Sequence, residues 1–124
     1  MRIRIMWRAG QVTAHLQDTP TVRTLLDTLP LQSTANTWGE EAYFQVPIRA
    51  KLEPDAVQVV DPGTVCFWEE GQSLAIPYGP TPISKGNECR LVTKVNILGQ
   101  LEGDPGVLRS VRAGDAIRVE RIEK

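Results

Sequence analysis

Short runs of alternating apolar and polar residues, separated by prolines and glycines, recur along most of this chain. Arg2–Arg8 and Gln11–Gln17 alternate with a period of two around Ala9-Gly10, which predicts an antiparallel hairpin. Further strands are predicted at Leu31–Ala35, Ala42–Val46, Val57–Val60, Thr64–Glu69, Ser73–Tyr78, Leu91–Leu101 and Ala113–Ile122. Many short strands with few helices favour a mostly β fold, specifically a closed or nearly closed β-barrel.

One main helix is predicted at Pro20–Leu29. Asp18 or Thr19 can cap its first turn, where the missing N–H of a proline does no harm. Its apolar residues fall at i, i+3, i+4 and i+7 and form a single stripe: Val22, Leu25, Leu26 and Leu29. Pro30 then ends the helix, and a second, short helix is predicted at Pro105–Val111.

Size and charge limit the kind of protein this is. A chain of 124 residues with 41% hydrophobic residues predicts one globular domain, residues 1–124. The formal charge of -1 gives no basic field to attract nucleic acid or anionic lipid. No run approaches the roughly 20 apolar residues of a membrane span, and the alternating N-terminus does not resemble a signal peptide. We therefore expect a cytoplasmic protein with no nucleic-acid or membrane partner.

The stretch Ala35–Phe44, A-N-T-W-G-E-E-A-Y-F, places two adjacent carboxylates between aromatic residues. On a strand, Glu40 and Glu41 would point to opposite faces, so they cannot act there as a paired acid and base. Two interpretations stay open: a solvated turn or local hydrogen-bond anchor, and a carboxylate that contacts a ligand at the rim of a pocket. For the second, Glu40 is favoured because it follows Trp38-Gly39.

The other binding candidates are aromatic and amide side chains, several of them near two loops: the segment around Trp38-Gly39 and the Gly79–Ser84 loop. Most aromatic residues are expected in the core, whereas Trp38 and Tyr78 lie beside those loops. Asn96 lies on a predicted buried strand, so its amide must be hydrogen-bonded; it either ties a neighbouring loop to the barrel or touches a ligand. The predicted ligand-binding set is Trp38, Glu40, Tyr43, Tyr78, Thr81 and Asn96.

No residue pattern marks a catalytic, metal or cofactor site. His15 is the only histidine, and it is predicted to be an exposed strand residue. Cys66 is expected to pack inside, while Cys89 lies in a predicted loop and is expected to be exposed. The two cysteines lack metal-ligand spacing and a histidine motif. We therefore predict no catalytic residue, no metal and no cofactor.

Several motifs resemble those of the small cyclophilin-like proteins of bacteria and archaea, a family of unknown function. The similar stretches cover almost the whole chain: Asn36–Phe44, Gly63–Gly71 (G-T-V-C-F-W-E-E-G), Ala75–Ser84 (A-I-P-Y-G-P-T-P-I-S), Val95–Gly99 and Gly114–Val119. The resemblance implies an eight-stranded barrel capped by helices, in agreement with the barrel predicted from periodicity.

The chain departs from true prolyl isomerases. Their Phe-His-Arg stretch, whose arginine polarises the prolyl amide, and their Gln-Gly-Gly-Asp stretch are both missing. Arg49 is the only nearby candidate replacement. Within the small family, the usual Trp-Pro-Pro-Gly and Phe-Phe-Gly turns are here Trp68–Gly71 (W-E-E-G) and Pro77–Gly79 (P-Y-G).

Three functions are therefore weighed. The leading one is non-catalytic binding of a small molecule or an extended peptide, in a groove near Trp38, Glu40, Tyr43 and the Gly79–Ser84 loop. The alternative is a peptidyl-prolyl cis–trans isomerase with a non-standard site. The third is an assembly partner that forms a homo-oligomer through its strand edges.

Overall fold

Nine strands, one α-helix and one 3₁₀ helix make up the computed structural model, which describes residues 1–122. The elements are β1 (Arg2–Trp7), β2 (Gly10–Leu16), α1 (Pro20–Leu26), β3 (Leu31–Thr37), β4 (Glu41–Gln45), β5 (Val57–Val60), β6 (Thr64–Trp68), β7 (Ser73–Pro77), β8 (Cys89–Leu101), the 3₁₀ helix (Pro105–Ser110) and β9 (Ala116–Ile122). None of the helices in this part of the chain is long and apolar enough to cross a membrane.

Eight of the strands close into a ring. They pair in the order β2-β1-β9-β3-β4-β7-β6-β8, and a further pairing of β8 with β2 joins the two ends. Each pairing is antiparallel. The closed barrel of about eight strands predicted from the sequence is confirmed. β5 stands outside the ring and pairs with β8.

The barrel closes where β2 and β8 come unusually near each other. Gly99 of β8 lies opposite Leu16, and a Cβ on this glycine would come within 2.1 Å of the carbonyl oxygen of His15. A side chain of any size would therefore hold the two backbones apart. Inside the ring, inward-facing residues of its eight strands form the main core; its largest fully buried members include Ile3, Ile5, Phe44, Phe67, Leu74 and Leu98.

Helix α1 is shorter than the sequence predicts. It begins at Pro20, where the Thr19 hydroxyl accepts the Val22 N–H at 3.2 Å, and it ends at Leu26 rather than Leu29. The Thr28 hydroxyl donates to the Leu25 carbonyl at 2.7 Å, which competes with continuation of the helix. The predicted apolar stripe still packs inward, because Leu29 is half-buried against the main core.

A second layer covers part of the outer surface of the barrel. Residues of β6 alternate, so that Val65 and Phe67 point into the main core while Cys66 points outward. Outside the ring, Cys66 forms a small separate core with Leu91 and Val95 of β8. β5 pairs with this first half of β8. The outer face of β4, β7 and β6 is thus partly enclosed rather than open to water.

The start of β8 corrects one expectation. Cys89 is only 1% exposed and is the first residue of β8, whereas the sequence placed it in an exposed loop. The pairing of Cys89 with Val60 across β5 draws this segment into the outer layer. Cys66 and Cys89 are both free thiols, and His15 is exposed as predicted.

Candidate functional site

A pocket of about 210 Å³ lies on the outer face of the barrel, beneath the first half of β8. Strands β4, β7 and β6 form its floor, and β8 forms one of its walls. Its lining is mostly apolar and aromatic: Trp38, Glu41, Tyr43, Trp68, Ala75, Leu91, Val92 and Val95.

Strand register explains why these side chains meet. Tyr43 pairs with Ala75, and Ala75 pairs with Cys66, so the three lie in one row across the outer face. Because Ala75 is small, this row leaves a hollow between its neighbours. The Tyr43 and Trp68 rings meet edge to face, with centroids 5.8 Å apart and planes at 89°. The two rings therefore present perpendicular surfaces at one side of the hollow.

Glu41 brings a carboxyl group into this apolar setting. The residue is only 5% exposed, and its Oε1 atom is buried without a hydrogen-bond partner. Because burial removes water from the carboxylate and no counter-charge replaces it, desolvation raises the pKa of Glu41 to about 7. Near neutral pH this group exists in both protonation states, which is unusual for a glutamate and is typical of functional sites.

Trp68 supplies a second unsatisfied polar atom. Its indole Nε1 is buried and has no hydrogen-bond partner. Glu41 pairs with Pro77 and Trp68 pairs with Ser73, so the two residues lie on opposite sides of the Tyr43–Ala75 row. The pocket therefore has a carboxyl group towards one end, an indole donor towards the other, and apolar surface between them.

Trp38 closes the end of the pocket nearest Glu41. It lies just before β4, and its N–H donates to the Glu41 carbonyl at 3.0 Å. Gly39, which follows it, has a φ of 60°, and a Cβ there would approach Pro82 to 2.8 Å. The glycine therefore permits the tight turn that places Trp38 over the pocket.

Two of the six predicted ligand-binding residues, Trp38 and Tyr43, line this pocket. Glu40 does not; its carboxylate lies 3.4 Å from Arg109, and the guanidinium of Arg109 lies 5.6 Å from the centre of the Tyr78 ring. Tyr78 and Glu40 thus belong to a neighbouring surface cluster. There, burial raises the pKa of Tyr78, and the negative charge of Glu40 adds to this effect.

Thr81 and Asn96 hold loops in place. Thr81 does not line the pocket. Its N–H donates to Ser84 Oγ at 2.9 Å, and its hydroxyl donates to the Arg90 carbonyl. Asn96 is fully buried. Its Oδ1 accepts the Glu53 N–H at 2.8 Å, and its Nδ2 donates to the Lys51 carbonyl at 2.9 Å. Of the two interpretations of Asn96, the structure supports the loop anchor.

Sequence reasoning missed Glu41 and Trp68. Alternation predicts that Glu40 and Glu41 point to opposite faces, but the position after Trp38-Gly39 favours Glu40, whereas Glu41 is the one that lines this pocket. The expectation that most aromatic residues lie in the core does not hold for Trp68, because Phe67, the preceding residue on β6, occupies the inner face. An alternation count along β6 was the signal that could have placed Trp68 outside the barrel.

A second, more open depression of about 470 Å³ lies near His15, Asp61, Thr64 and Gln100. Two of its polar side chains already have partners: Gln100 donates to the Pro62 carbonyl at 3.0 Å and accepts from the Thr64 hydroxyl at 3.3 Å. Within residues 1–122, no group of three His, Cys, Asp or Glu residues is arranged to hold a metal ion. The smaller, enclosed pocket is therefore the stronger candidate site.

Comparisons with known proteins agree with this fold. The family model described as cyclophilin-like matches residues 1–120. The chain belongs to the cyclophilin-like family. The solution structure of the hypothetical protein AF2241 from Archaeoglobus fulgidus is similar, with 34% sequence identity, a TM-score of 0.84, and coverage of 98% of this chain and 95% of that chain. No curated protein gives a significant match.

Proposed function

We propose that this member of the cyclophilin-like family is a non-catalytic binding module, whose ligand places one compact group in the outer-face pocket. The observation that carries the proposal is a preformed hollow with two unpaired polar atoms, Glu41 Oε1 and Trp68 Nε1. Buried polar atoms are normally satisfied, so two orphans at one cavity support an occupant that completes them.

The size of the pocket limits what it can hold. At about 210 Å³ it is smaller than the roughly 300–1,000 Å³ of pockets that take a whole drug-sized ligand. A nucleotide or a flavin is therefore too large to be enclosed. The ligand is either a small molecule of a few heavy atoms or one side chain of an extended peptide that lies along the surface.

Prolyl isomerisation is not supported by the geometry. A catalyst must stabilise the twisted amide better than the planar one, and the isomerases to which the chain is distantly similar use an arginine for this. Among the described residues, the pocket lining includes no Arg, Lys or His side chain. Arg49, the candidate replacement, lines a separate depression with Glu69 and Gln72.

A fragment titration followed by two-dimensional NMR tests the proposal. Small apolar fragments that carry one hydrogen-bond donor and one acceptor should shift the resonances of Tyr43, Ala75 and the Trp68 indole N–H. Val92→Trp should block the rim and abolish these shifts. Val107→Trp is the matched control, since Val107 is also an exposed valine but lies on the 3₁₀ helix, outside the pocket lining.

Two outcomes would contradict this function. The first is that no fragment shifts the pocket resonances, or that Val92→Trp binds as the wild type does. The second is faster isomerisation of a proline-containing test peptide than the uncatalysed rate, because that result restores the isomerase. We expect the peptide to isomerise at its uncatalysed rate.

A further inference from the structure

We propose that the group bound in this pocket is a small alkylated ammonium cation, held by the Glu41 carboxylate and the faces of Trp38, Tyr43 and Trp68. This inference rests on the proposed binding function and names the chemical class of the ligand. It joins three independent features of the site: an unpaired buried acid, an aromatic lining and apolar walls.

The first feature is a missing counter-charge. A buried carboxylate is normally paired, since an isolated one is costly in a low-dielectric setting. Of the titratable groups that couple with Glu41 or share its pocket, Tyr43 is on β4, Cys66 on β6 and Cys89 on β8, and none of these carries a positive charge. β7 contributes no titratable side chain.

The nearby cations are already engaged elsewhere or lie outside the pocket. In the turn before β4, the Glu40 carboxylate forms an ion pair with the guanidinium of Arg109 at 3.4 Å. On β8, Arg90 pairs with Glu88, and Lys94 is exposed and lines another depression. The positive charge that Glu41 lacks is therefore expected to come from a ligand.

The second feature is the aromatic lining. Three of the seven aromatic residues of the chain, two tryptophans and one tyrosine, line this one small pocket. The face of an aromatic ring attracts a cation within about 6 Å, and tryptophan does so most strongly. The perpendicular Tyr43 and Trp68 rings provide surfaces in two directions. Aromatic side chains that extend from a buried carboxylate along the pocket suit a compact cation better than they suit a flat, neutral group.

The third feature distinguishes an alkylated ammonium from a bare one. A primary ammonium, such as that of a lysine side chain, needs three acceptors for its N–H groups, whereas Glu41 Oε1 is the only buried side-chain acceptor without a partner in the described part of the chain. Ala75, Leu91 and Val95 instead offer apolar contacts that fit methyl groups. The indole N–H of Trp68 remains available for an acceptor elsewhere on the same ligand.

Choline and its uncharged carbon isostere provide the direct test, because they differ only in the charged atom. Each is titrated by calorimetry and by NMR at constant ionic strength. We expect choline to bind at least roughly tenfold more tightly, since the isostere gains neither the ion pair nor the cation–π attraction. Affinity for choline should rise roughly tenfold between about pH 5.5 and about pH 7.5 as Glu41 ionises.

Variants assign this preference to the pocket. Glu41→Gln keeps the shape of the side chain and should remove the preference for choline, whereas Glu40→Gln, the adjacent carboxylate outside the pocket lining, should keep it. Trp38→Leu should weaken choline binding by roughly tenfold and affect the isostere less. The Trp38→Leu variant therefore tests the cation preference independently if Glu41→Gln perturbs the fold.

A third comparison distinguishes a free amine from a methylated lysine side chain as the source of the cation. Free choline is compared with a peptide that carries one trimethyllysine and with the same peptide unmethylated. Tighter binding of the methylated peptide identifies a lysine side chain, and tighter binding of choline identifies a free amine. Equal affinity for choline and its isostere overturns the cation while leaving the binding function intact. If the fragment titration also leaves the pocket resonances unchanged, both proposals fail.

Discussion

Glu40 and Glu41 are neighbours in sequence with opposite environments. Glu40 is 40% exposed in its side chain and pairs with Arg109, whereas Glu41 is 5% exposed and has an unpartnered oxygen. Alternation along the chain predicts that the side chains of two such neighbours point to opposite faces of the sheet. It cannot predict which one is covered, because the cover comes from β8, about fifty residues further along the chain.

The buried carboxyl of Glu41 should make stability depend on pH. Its pKa is raised from 4.5 to about 7, so the folded protein keeps this proton at pH values where the unfolded chain has lost it. The contribution is fully present below about pH 4.5 and is lost as the pH rises through 7, a fall of about 3 kcal/mol in the free energy of unfolding. Glu41→Gln should remove this fall when urea denaturation is measured from about pH 5 to about pH 8.

Two comparisons assign this pH dependence of stability to Glu41. Glu40→Gln should show the same fall in the free energy of unfolding as the wild type over the same pH range. Glu102 acts in a different window, because hydrogen bonds from Arg2 and Thr13 lower its pKa to about 2; its contribution is present above 4.5 and is lost only as the pH falls towards 2. Parallel wild-type and Glu41→Gln curves between about pH 5 and about pH 8 would show that Glu41 is not the buried acid described above.

Asn96 should matter for stability rather than for binding. Its amide satisfies the Glu53 N–H and the Lys51 carbonyl and donates to the Thr21 hydroxyl at 3.3 Å. Asn96→Ala takes the partner away from the partly buried Glu53 N–H and Lys51 carbonyl and should lower the free energy of unfolding by about 3 kcal/mol. Chemical denaturation measures this loss. A drop in ligand affinity with unchanged stability would instead favour the ligand-contact interpretation.

At the scale of elements, most of the strands and the hairpin were predictable because they are defined by local alternation. All nine described strands lie where the pattern predicts, within three residues at their ends. Helix α1 ended early because a side-chain hydrogen bond of Thr28 competes with the backbone, a contact that no apolar stripe can reveal. The buried start of β8 depends on pairing with β5, which is also non-local.

The cap of α1 gives a prediction for this element. Thr19→Ala removes the acceptor of the Val22 N–H and should lower the free energy of unfolding by about 1 kcal/mol. Thr19→Asp keeps an acceptor and should retain most of the stability. Thr24→Ala is a control within the same helix, since Thr24 is exposed and its hydroxyl only donates to the Pro20 carbonyl. Equal losses for Thr19→Ala and Thr24→Ala would contradict a specific capping role.

At the scale of the whole molecule, the barrel depends on the contact between β2 and β8. Gly99→Ala would place a Cβ 2.1 Å from the His15 carbonyl oxygen, and backbone cannot move away cheaply. We expect a loss of about 3 kcal/mol in the free energy of unfolding. Gly10→Ala is a matched control in β2, where the nearest atom is a Trp7 ring carbon at 3.2 Å, and it should cost about 1 kcal/mol. Similar losses for Gly99→Ala and Gly10→Ala would contradict a close backbone contact between β2 and β8.

Closure of the barrel was predictable, whereas the position of the site was not. Short alternating strands and the family motifs both indicate a cylinder. The candidate site, however, lies on its outer face, where Glu41, Trp68 and Val95 come from three separate strands. Two of its aromatic residues, Trp38 and Tyr43, were identified from the motif around them. Homo-oligomer formation stays a prediction, and sedimentation at several concentrations tests it.

The titration of the Glu41 carboxyl, followed by carbon NMR with and without choline, tests the site most directly. Without ligand we expect a pKa near 7, because the buried group has no partner. Saturating choline should lower that pKa by one unit or more, since a cation favours the ionised form. A pKa near 4.5 in the free protein, unchanged by choline, would contradict a buried, unpaired acid that awaits a cationic ligand.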